Sequence, residues 1–529
     1  MSLYDDASLI AYPSGYKESK IYAQKPIDGS GDLTFARASS ATRLNAEGLI
    51  ETASVLSTTE LVNNGDFATD TGWNKNANWS ISGGVAIADG TSSSDLNQGP
   101  PFASVGTKYL ISFDVVSLSQ GSFRVQFGNA SIDGNAVGSF SGEVIATSTD
   151  RVRVLAISTA IGSIDNVSIK EVITSNVPRI DYTNGCGSLL LEKQSTNLIT
   201  YSESFDNAYW TKSGVAIIAN DTSSPDGTTN ADKIYPTSSG NYKHIRANSL
   251  NPSSGLYTFS IYAKKSELDH LVLIDYDGGG VGVDFDLTNG VATDNASSAF
   301  DSVEMIDFGN GWYRCIATAT NMYFYWIVSD SGGLSVTASG TNGLYIWGAM
   351  AESNASYPTS YIPTSGTTVT RIQDTSSTTG LSSVINSTEG VLYVEIAALS
   401  NDGTTRAISI SDGTSNNRLL IYYDTTSNKV NIYTRVGNTN QAIMNFVLAD
   451  ATTLNKIAVK YKLNDYSLWI NGVEVDTDIS ATTFPSSTLT TISFADGNTT
   501  SNHFFGKVKQ LQVFKTALTD TELATLTTI

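Results

Sequence analysis

Leu61-Val62-Asn63-Asn64-Gly65-Asp66-Phe67, followed by Trp73 and by Gly84-Val85-Ala86-Ile87, is written a second time further along the chain. The second version reads Leu198-Ile199-Thr200, then Phe205, Trp210 and Gly214-Val215-Ala216-Ile217. Later, Gly106-Thr107-Lys108-Tyr109-Leu110-Ile111-Ser112-Phe113 is answered by Gly255-Leu256-Tyr257-Thr258-Phe259-Ser260-Ile261-Tyr262. The same landmarks in the same order predict two related segments. Their spacing is far longer than a solenoid period, so each copy is a whole domain.

Strands are legible inside and beyond the copies. Tyr109–Val115, Phe123–Phe127 and Val152–Ile157 alternate apolar and polar residues, the mark of one face in and one face out. Leu271–Tyr276, Tyr313–Ala317 and Leu344–Trp347 do the same work in the second copy. Val391–Ile396, Leu419–Tyr423, Lys429–Tyr433 and Lys456–Tyr461 follow near the end. Asn471-Gly472 between Ser467–Ile470 and Val473–Val475 predicts a tight hairpin. Thr519 with Glu522 predicts a capping box on one short terminal helix.

Composition agrees. Only 16% of the 529 residues are charged, while Tyr (25) and Phe (19) are frequent, which favours many short strands joined by polar turns. The formal charge of −20 excludes a phosphate-neutralising nucleic-acid surface as the main business of the chain. Cys186 and Cys315 do not make a disulfide framework and read as free or buried thiols. Met1-Ser2-Leu3-Tyr4-Asp5-Asp6 has no signal-peptide character, and no apolar run is long enough to span a membrane. The expectation is synthesis in a host cytoplasm and release by a route such as lysis.

The fold class expected is all-β: three β-sandwich (jelly-roll) domains in series behind a small N-terminal leader. The boundaries are 1–55 for the leader, 56–173 for the first sandwich, 174–194 for a connector, 195–372 for the second sandwich and 380–529 for the last.

The opening phrase with Trp73 and the closing phrase Ile164-Asp165-Asn166-Val167-Ser168-Ile169 resemble carbohydrate-binding jelly rolls of the xylan- and glucan-binding type. The second copy is similar in plan, but Ser202-Glu203-Ser204 stands where the first has Asn64-Gly65-Asp66. The last domain resembles a laminin-G or concanavalin A-like lectin sandwich. The cues are Asn455–Val459, Leu468–Val473, and Gly506-Lys507-Val508 through Leu518–Leu523. The missing Trp-His pair at 455–459 concerns packing more than function.

The joints resemble bacteriophage tail and other virion proteins. The phrases are Phe35-Ala36-Arg37-Ala38-Ser39-Ser40-Ala41-Thr42-Arg43 with Gly48-Leu49-Ile50-Glu51; Asn176-Val177-Pro178-Arg179-Ile180-Asp181-Tyr182; Leu189-Leu190-Leu191-Glu192 with Ser195–Leu198; and Ser360–Thr364. In that family the first phrase runs almost directly into the second, whereas here some 120 residues intervene. The first sandwich is therefore expected to be an insertion, with leader and connector packed together in space, and the resemblance implies that the leader, 1–55, is the segment that docks on the virion.

The resemblance implies glycan sites built from aromatic rings and nearby amides and carboxylates. Trp73, Trp79 and Tyr109 are the candidates in the first copy; Trp210, Tyr242, Trp312 and Trp326 are those in the second. Three of them have a plain alternative. Trp73 follows Phe67 closely enough to plug a core, Trp79 sits equally well in a core or a polar site, and Trp312 suits a hairpin core. Tyr323-Phe324-Tyr325-Trp326 must place two rings on each face of a strand, so one pair looks outward, to a domain contact or to a ligand.

The resemblance also implies a possible structural calcium between Asp66 and Asp165, against a reading as turn caps. Asp275–Gly280 fits a glycine-rich turn better than a calcium loop. His244, His270 and His503 are scattered, which argues against zinc. Glu474-Val475-Asp476-Thr477-Asp478 only echoes the paired carboxylates of a glycosidase. The function expected is that of a non-enzymatic virion component, fibre or decoration. Its expected partners are other virion proteins, further copies of itself on the particle and host-surface glycans, with no nucleic acid and no membrane insertion. The alternatives are a purely architectural role or a polysaccharide depolymerase.

Overall fold

In a computed structural model, residues 3–248, 255–275, 282–295, 300–320, 324–498 and 500–529 are described. Strands dominate, and the chain forms two compact units: Ser54–Thr174 by itself, and Met1–Ala53 together with Ser175–Ile529.

The unit Ser54–Thr174 is built on two long strands, Lys108–Phe127 and Arg151–Ile173, which pair antiparallel along most of their length. The register slips at four places between Ser112 and Ser122. Bulges of this kind bend a strand, so one hairpin supplies both layers of the sandwich. Gly121, at φ 72°, lies in the bend, where a Cβ would collide with the Ile157 carbonyl. Gly138–Ile145 extends one arm and Ala130–Gly134 the other. Alternate residues point into a core holding Phe67, Trp73, Trp79, Phe113 and Phe123. The ends of the unit adjoin, because Val55 and Leu56 pair with Ile173 and Val172.

The second sandwich has two six-stranded sheets. One contains Leu256–Lys264 between Trp312–Thr320 and Leu344–Ser353; the other contains His270–Asp275 between Phe324–Ser329 and Gly282–Asp286. Phe259, Phe285, Trp326, Leu344 and Cys315 fill the space between them. Burial among these groups raises the Cys315 thiol well above its usual range. Cys186 is exposed, and both cysteines are free.

The third sandwich is not a contiguous bead. Its eight-stranded sheet contains Glu389–Ala398, Gly506–Phe514, Asn455–Lys462, Tyr466–Ile470 and Val473–Asp478, and also Ala7–Ala11 from the leader and Ser188–Leu191 from the connector. Its nine-stranded sheet takes Tyr16–Lys17, Lys20–Ile21 and Leu33–Ala36 from the leader, and Leu33–Ala36 pairs with Thr375–Thr378. Leu9, Leu33, Phe35, Leu189 and Leu191 therefore share one core with Leu392, Ile408 and Leu511. The leader packs on its own chain. Its short apolar strands bury too little alone and complete the sheets of a sandwich that starts more than 300 residues later. Leader and connector also touch directly. Asn176 N donates to the Arg37 carbonyl at 2.7 Å, Arg37 N to Asn176 Oδ1 at 3.0 Å, and Tyr182 N to the Leu44 carbonyl at 3.1 Å.

Candidate functional site

The joint phrases meet in a buried knot of charge. Arg37 Nη1 lies 3.0 Å from Asp374 Oδ1, Arg179 pairs with Glu192 at 2.5 Å and with Asp374, and Arg371 lies 3.0 Å from Glu192. All five side chains are almost fully buried. Further hydrogen bonds tie the knot to the backbone and to Ser360: Arg37 donates to the Val177 and Ser39 carbonyls, and Glu192 accepts from Ser360 N and Oγ, both at 2.7 Å, while Arg179 Nε and Arg371 Nε are buried without a hydrogen-bond partner among the described residues. Burial alone would push the Glu192 carboxyl up. Arg371 and Arg179 outweigh it and hold the group at about 2. Burial pulls Arg37 down to about 10 against the attraction of Asp374. These arginines are spent on holding leader, connector and the 371–374 segment together.

Above the knot opens a cleft of about 190 Å³. Its walls come from the leader (Thr42, Arg43, Leu44), the connector (Asp181, Thr183) and the second sandwich (Phe308, Arg314). A second depression of about 380 Å³ shares Thr183, Leu399 and Lys507 with it and runs on past Cys186, Thr452, Thr453 and Lys509. The two make one groove, whose floor is the outer face of the eight-stranded sheet. Lys507 lies between Ala397 and Leu190 on neighbouring strands, small and aliphatic residues that leave room above the sheet. Val508 pairs with Ile396 and Gln510 with Glu395, so Lys509 is the extra residue of a bulge. Such a bulge turns its side chain away from the regular alternation, and both lysines lie in the groove.

The polar groups of the groove are in different states. Asp181 accepts from Leu44 N at 3.0 Å and from Thr183 N and Oγ1, and Lys507 Nζ sits 3.6 Å away. Arg43 is paired with Glu51 at 2.8 Å. Arg314 lies over the Tyr262 ring and donates to the Thr359 carbonyl. Among the described residues Lys509 has neither an ion pair nor a hydrogen bond from its side chain. The groove thus combines hydroxyls, a half-buried aromatic ring at Phe308 and one uncommitted cation.

The aromatic candidates of the sequence lie elsewhere. Trp73 and Trp210 are equivalent plugs: each indole N–H donates to a carbonyl nine residues earlier, Asn64 and Tyr201, and each ring packs 5.3 or 5.0 Å from Phe67 or Phe205. Trp79 is buried against Phe123, Tyr109 against Phe127, and Trp326, 1% exposed, between Phe285 and Phe324. Rings covered on both faces have no face left for a sugar, so these five are core residues. Trp312 is buried as well, its N–H on the Ser223 carbonyl. Only Tyr242, 42% exposed, shows its ring to solvent, and it lies apart from the groove. The outward side of Phe324–Ser329 is covered too: Tyr325 packs with Val272, Ile274, Ile327 and Leu334. Tyr323 and residues 276–280 of the glycine-rich turn lie outside the described residues.

Asp66 and Asp165 belong to phrases that do meet, since Val167 N donates to the Gly65 carbonyl at 2.9 Å. A Cβ at Gly65 would strike the Val167 carbonyl, which explains the glycine. The two carboxylates serve local turns, accepting from Ala68 N and Asn166 N. Calcium takes six to eight oxygens, and among the described residues no group of three acidic, His or Cys side chains is placed to hold an ion. On Val473–Asp478, Asp476 accepts from Asn445 N and Asp478 from Ser480.

No curated protein matches the chain. Among solved structures, similarity is found to the CBM40 module of the Ruminococcus gnavus IT-sialidase bound to α2,3-sialyllactose. The identity is 20%, covering 27% of this chain and 83% of that one, with a TM-score of 0.24. A leech intramolecular trans-sialidase complexed with 2,7-anhydro-Neu5Ac matches at 20% identity over 27% of this chain and 24% of that one, TM-score 0.24. Sheep galectin-11 in complex with glycerol matches at 11% identity over 24% and 89%, TM-score 0.18. Residues 392–524 match the family described as the concanavalin A-like lectin/glucanases superfamily. The C-terminal sandwich, with its strands borrowed from leader and connector, is thus built on a concanavalin A-like lectin-type domain.

Proposed function

We propose that this chain is a non-catalytic attachment protein of a bacteriophage particle, a fibre or decoration component that binds glycans of the host or its surroundings. The observation that carries the glycan reading is the lectin-type sandwich at 392–524, whose outer sheet face floors a groove of hydroxyls, a ring and a lysine. The virion reading rests on the joint phrases. Arg37, Arg179 and Glu192 of those phrases form one buried knot, so the phrases act as a unit. Weak sites repeated over many copies on a particle would hold firmly by raising effective concentration.

A glycan array probed with the full chain tests the binding. Labelled antibody on purified particles tests the location. Binding of several related glycans together with particle labelling is the expected result; an empty array supports the architectural alternative, which the burial of five aromatic candidates favours. New reducing ends after incubation with polysaccharide would replace binding by cleavage.

A further inference from the structure

The chain carries a formal charge of −20, yet its groove is lined by four basic residues, Arg43, Arg314, Lys507 and Lys509, and two acidic ones, Asp181 and Glu192. Both acids are already committed. Glu192 lies inside the knot with two arginines, and Asp181 is tied by backbone and hydroxyl donors beside Lys507. Arg43 and Arg314 are committed as well, to Glu51 and to the Thr359 carbonyl. What remains is Lys509, carried into the groove by the bulge, with Lys507 only loosely held at 3.6 Å. Thr183, Thr452 and Thr453 line the groove with the lysines, and Ala397, paired with Lys507, keeps the floor low.

An unpaired ammonium among hydroxyls, on a strongly acidic molecule, is a poor device for a neutral sugar. It is a good one for a carboxylate, because charge-assisted hydrogen bonds are about twice as strong as neutral ones. It also concentrates positive potential where the rest of the surface repels anions. Resting on the glycan-binding reading above, we infer that the groove selects carboxylate-bearing glycans, with Lys509 the principal contact to the carboxylate and Lys507 a second, and with the threonine oxygens, whose protons go to Asp181 and Asp450, accepting from ring hydroxyls.

The experiment is a glycan array of neutral and carboxylate-bearing glycans, followed by titration of the best ligand and of its methyl ester. The full chain is used as wild type, Lys509→Gln and Lys509→Arg. Carboxylate-bearing ligands are expected, with affinity at least ten-fold lower for the ester and about ten-fold lower for K509Q. K509R is expected to stay within about three-fold of wild type, and binding is expected to weaken with added salt. Binding of neutral glycans only, or equal affinity for acid and ester, overturns the inference and leaves the glycan reading standing. Acid-dependent binding that K509Q does not weaken overturns the assignment of this groove. No binding to any glycan overturns the glycan reading and the inference with it. Lys509 is on an outward bulge, and unchanged melting of K509Q and K509R separates lost contact from lost fold.

Discussion

The inserted sandwich and the C-terminal sandwich solve one problem in opposite ways. Ser54–Thr174 is contiguous: a single bent hairpin of two long strands supplies both layers, and the unit begins and ends on neighbouring strands. The C-terminal sandwich is gathered from the leader, the connector and residues after about 374, and is held at its seam by buried arginines and carboxylates. Contiguity lets a sandwich be inserted as a cassette. Assembly from distant segments needs specific joints, and ion pairs buried away from water give specific geometry because an unpaired partner is so costly.

The sharpest way to break the contrast is Asp374→Asn. It leaves Arg37 and Arg179 short of a counter-charge in a dry site, a loss of about 3–5 kcal/mol. Calorimetry should show the transition of the discontinuous unit falling while that of Ser54–Thr174 stays in place; a common shift of both would refute separate units. Acid gives the next largest effect. Glu192 is held at about 2, below its unfolded value of 4.5. Its contribution is therefore complete above about pH 4.5 and is lost as pH falls through 2. Denaturant midpoints from pH 6 to 2.5 should drop more steeply for the discontinuous unit, and Glu192→Gln should flatten that slope.

A smaller effect belongs to the terminal helix Asp520–Thr527. Thr519 Oγ1 accepts from Glu522 N, and Glu522 answers on Thr519 N at 2.8 Å. Thr519→Ala should cost about 1 kcal/mol, seen as faster amide exchange confined to that helix and its neighbours. The smallest effect is expected from the largest change. Residues 54–174 can be replaced by a short glycine linker, since Ala53 and Asn176 are both anchored on residues 37–41. The transition of the remaining unit should move little, and the excised cassette should melt on its own; aggregation of either piece would show that the cassette is not independent.

Much of this was legible in residue order. The repeated Phe–Trp phrase marked two sandwiches, and the structure shows what it is for: a paired ring plug with an indole bond of the same nine-residue span. The hairpin is present at Asn471-Gly472, with φ of 50° and 89°, and the capping box at Thr519 is complete. The aromatic sites were not legible. Alternation tells which residues share a face of a strand but not what covers that face. Tyr325 points away from the main core of its sandwich and is still buried, because a loop carrying Leu334 lies over it.

Local chemistry settled what local chemistry can: period-two strands, positive-φ turns, a helix cap and a core-plugging phrase copied twice. These depend on neighbours a few residues apart. The pairing of the leader with strands near 511, the union of Arg37, Arg179, Glu192, Arg371 and Asp374, and the groove around Lys509 belong to the tertiary structure alone. Each joins segments separated by more than a hundred residues, and hydrogen bonding and charge neutralisation act on distance in space, of which distance along the chain keeps no record.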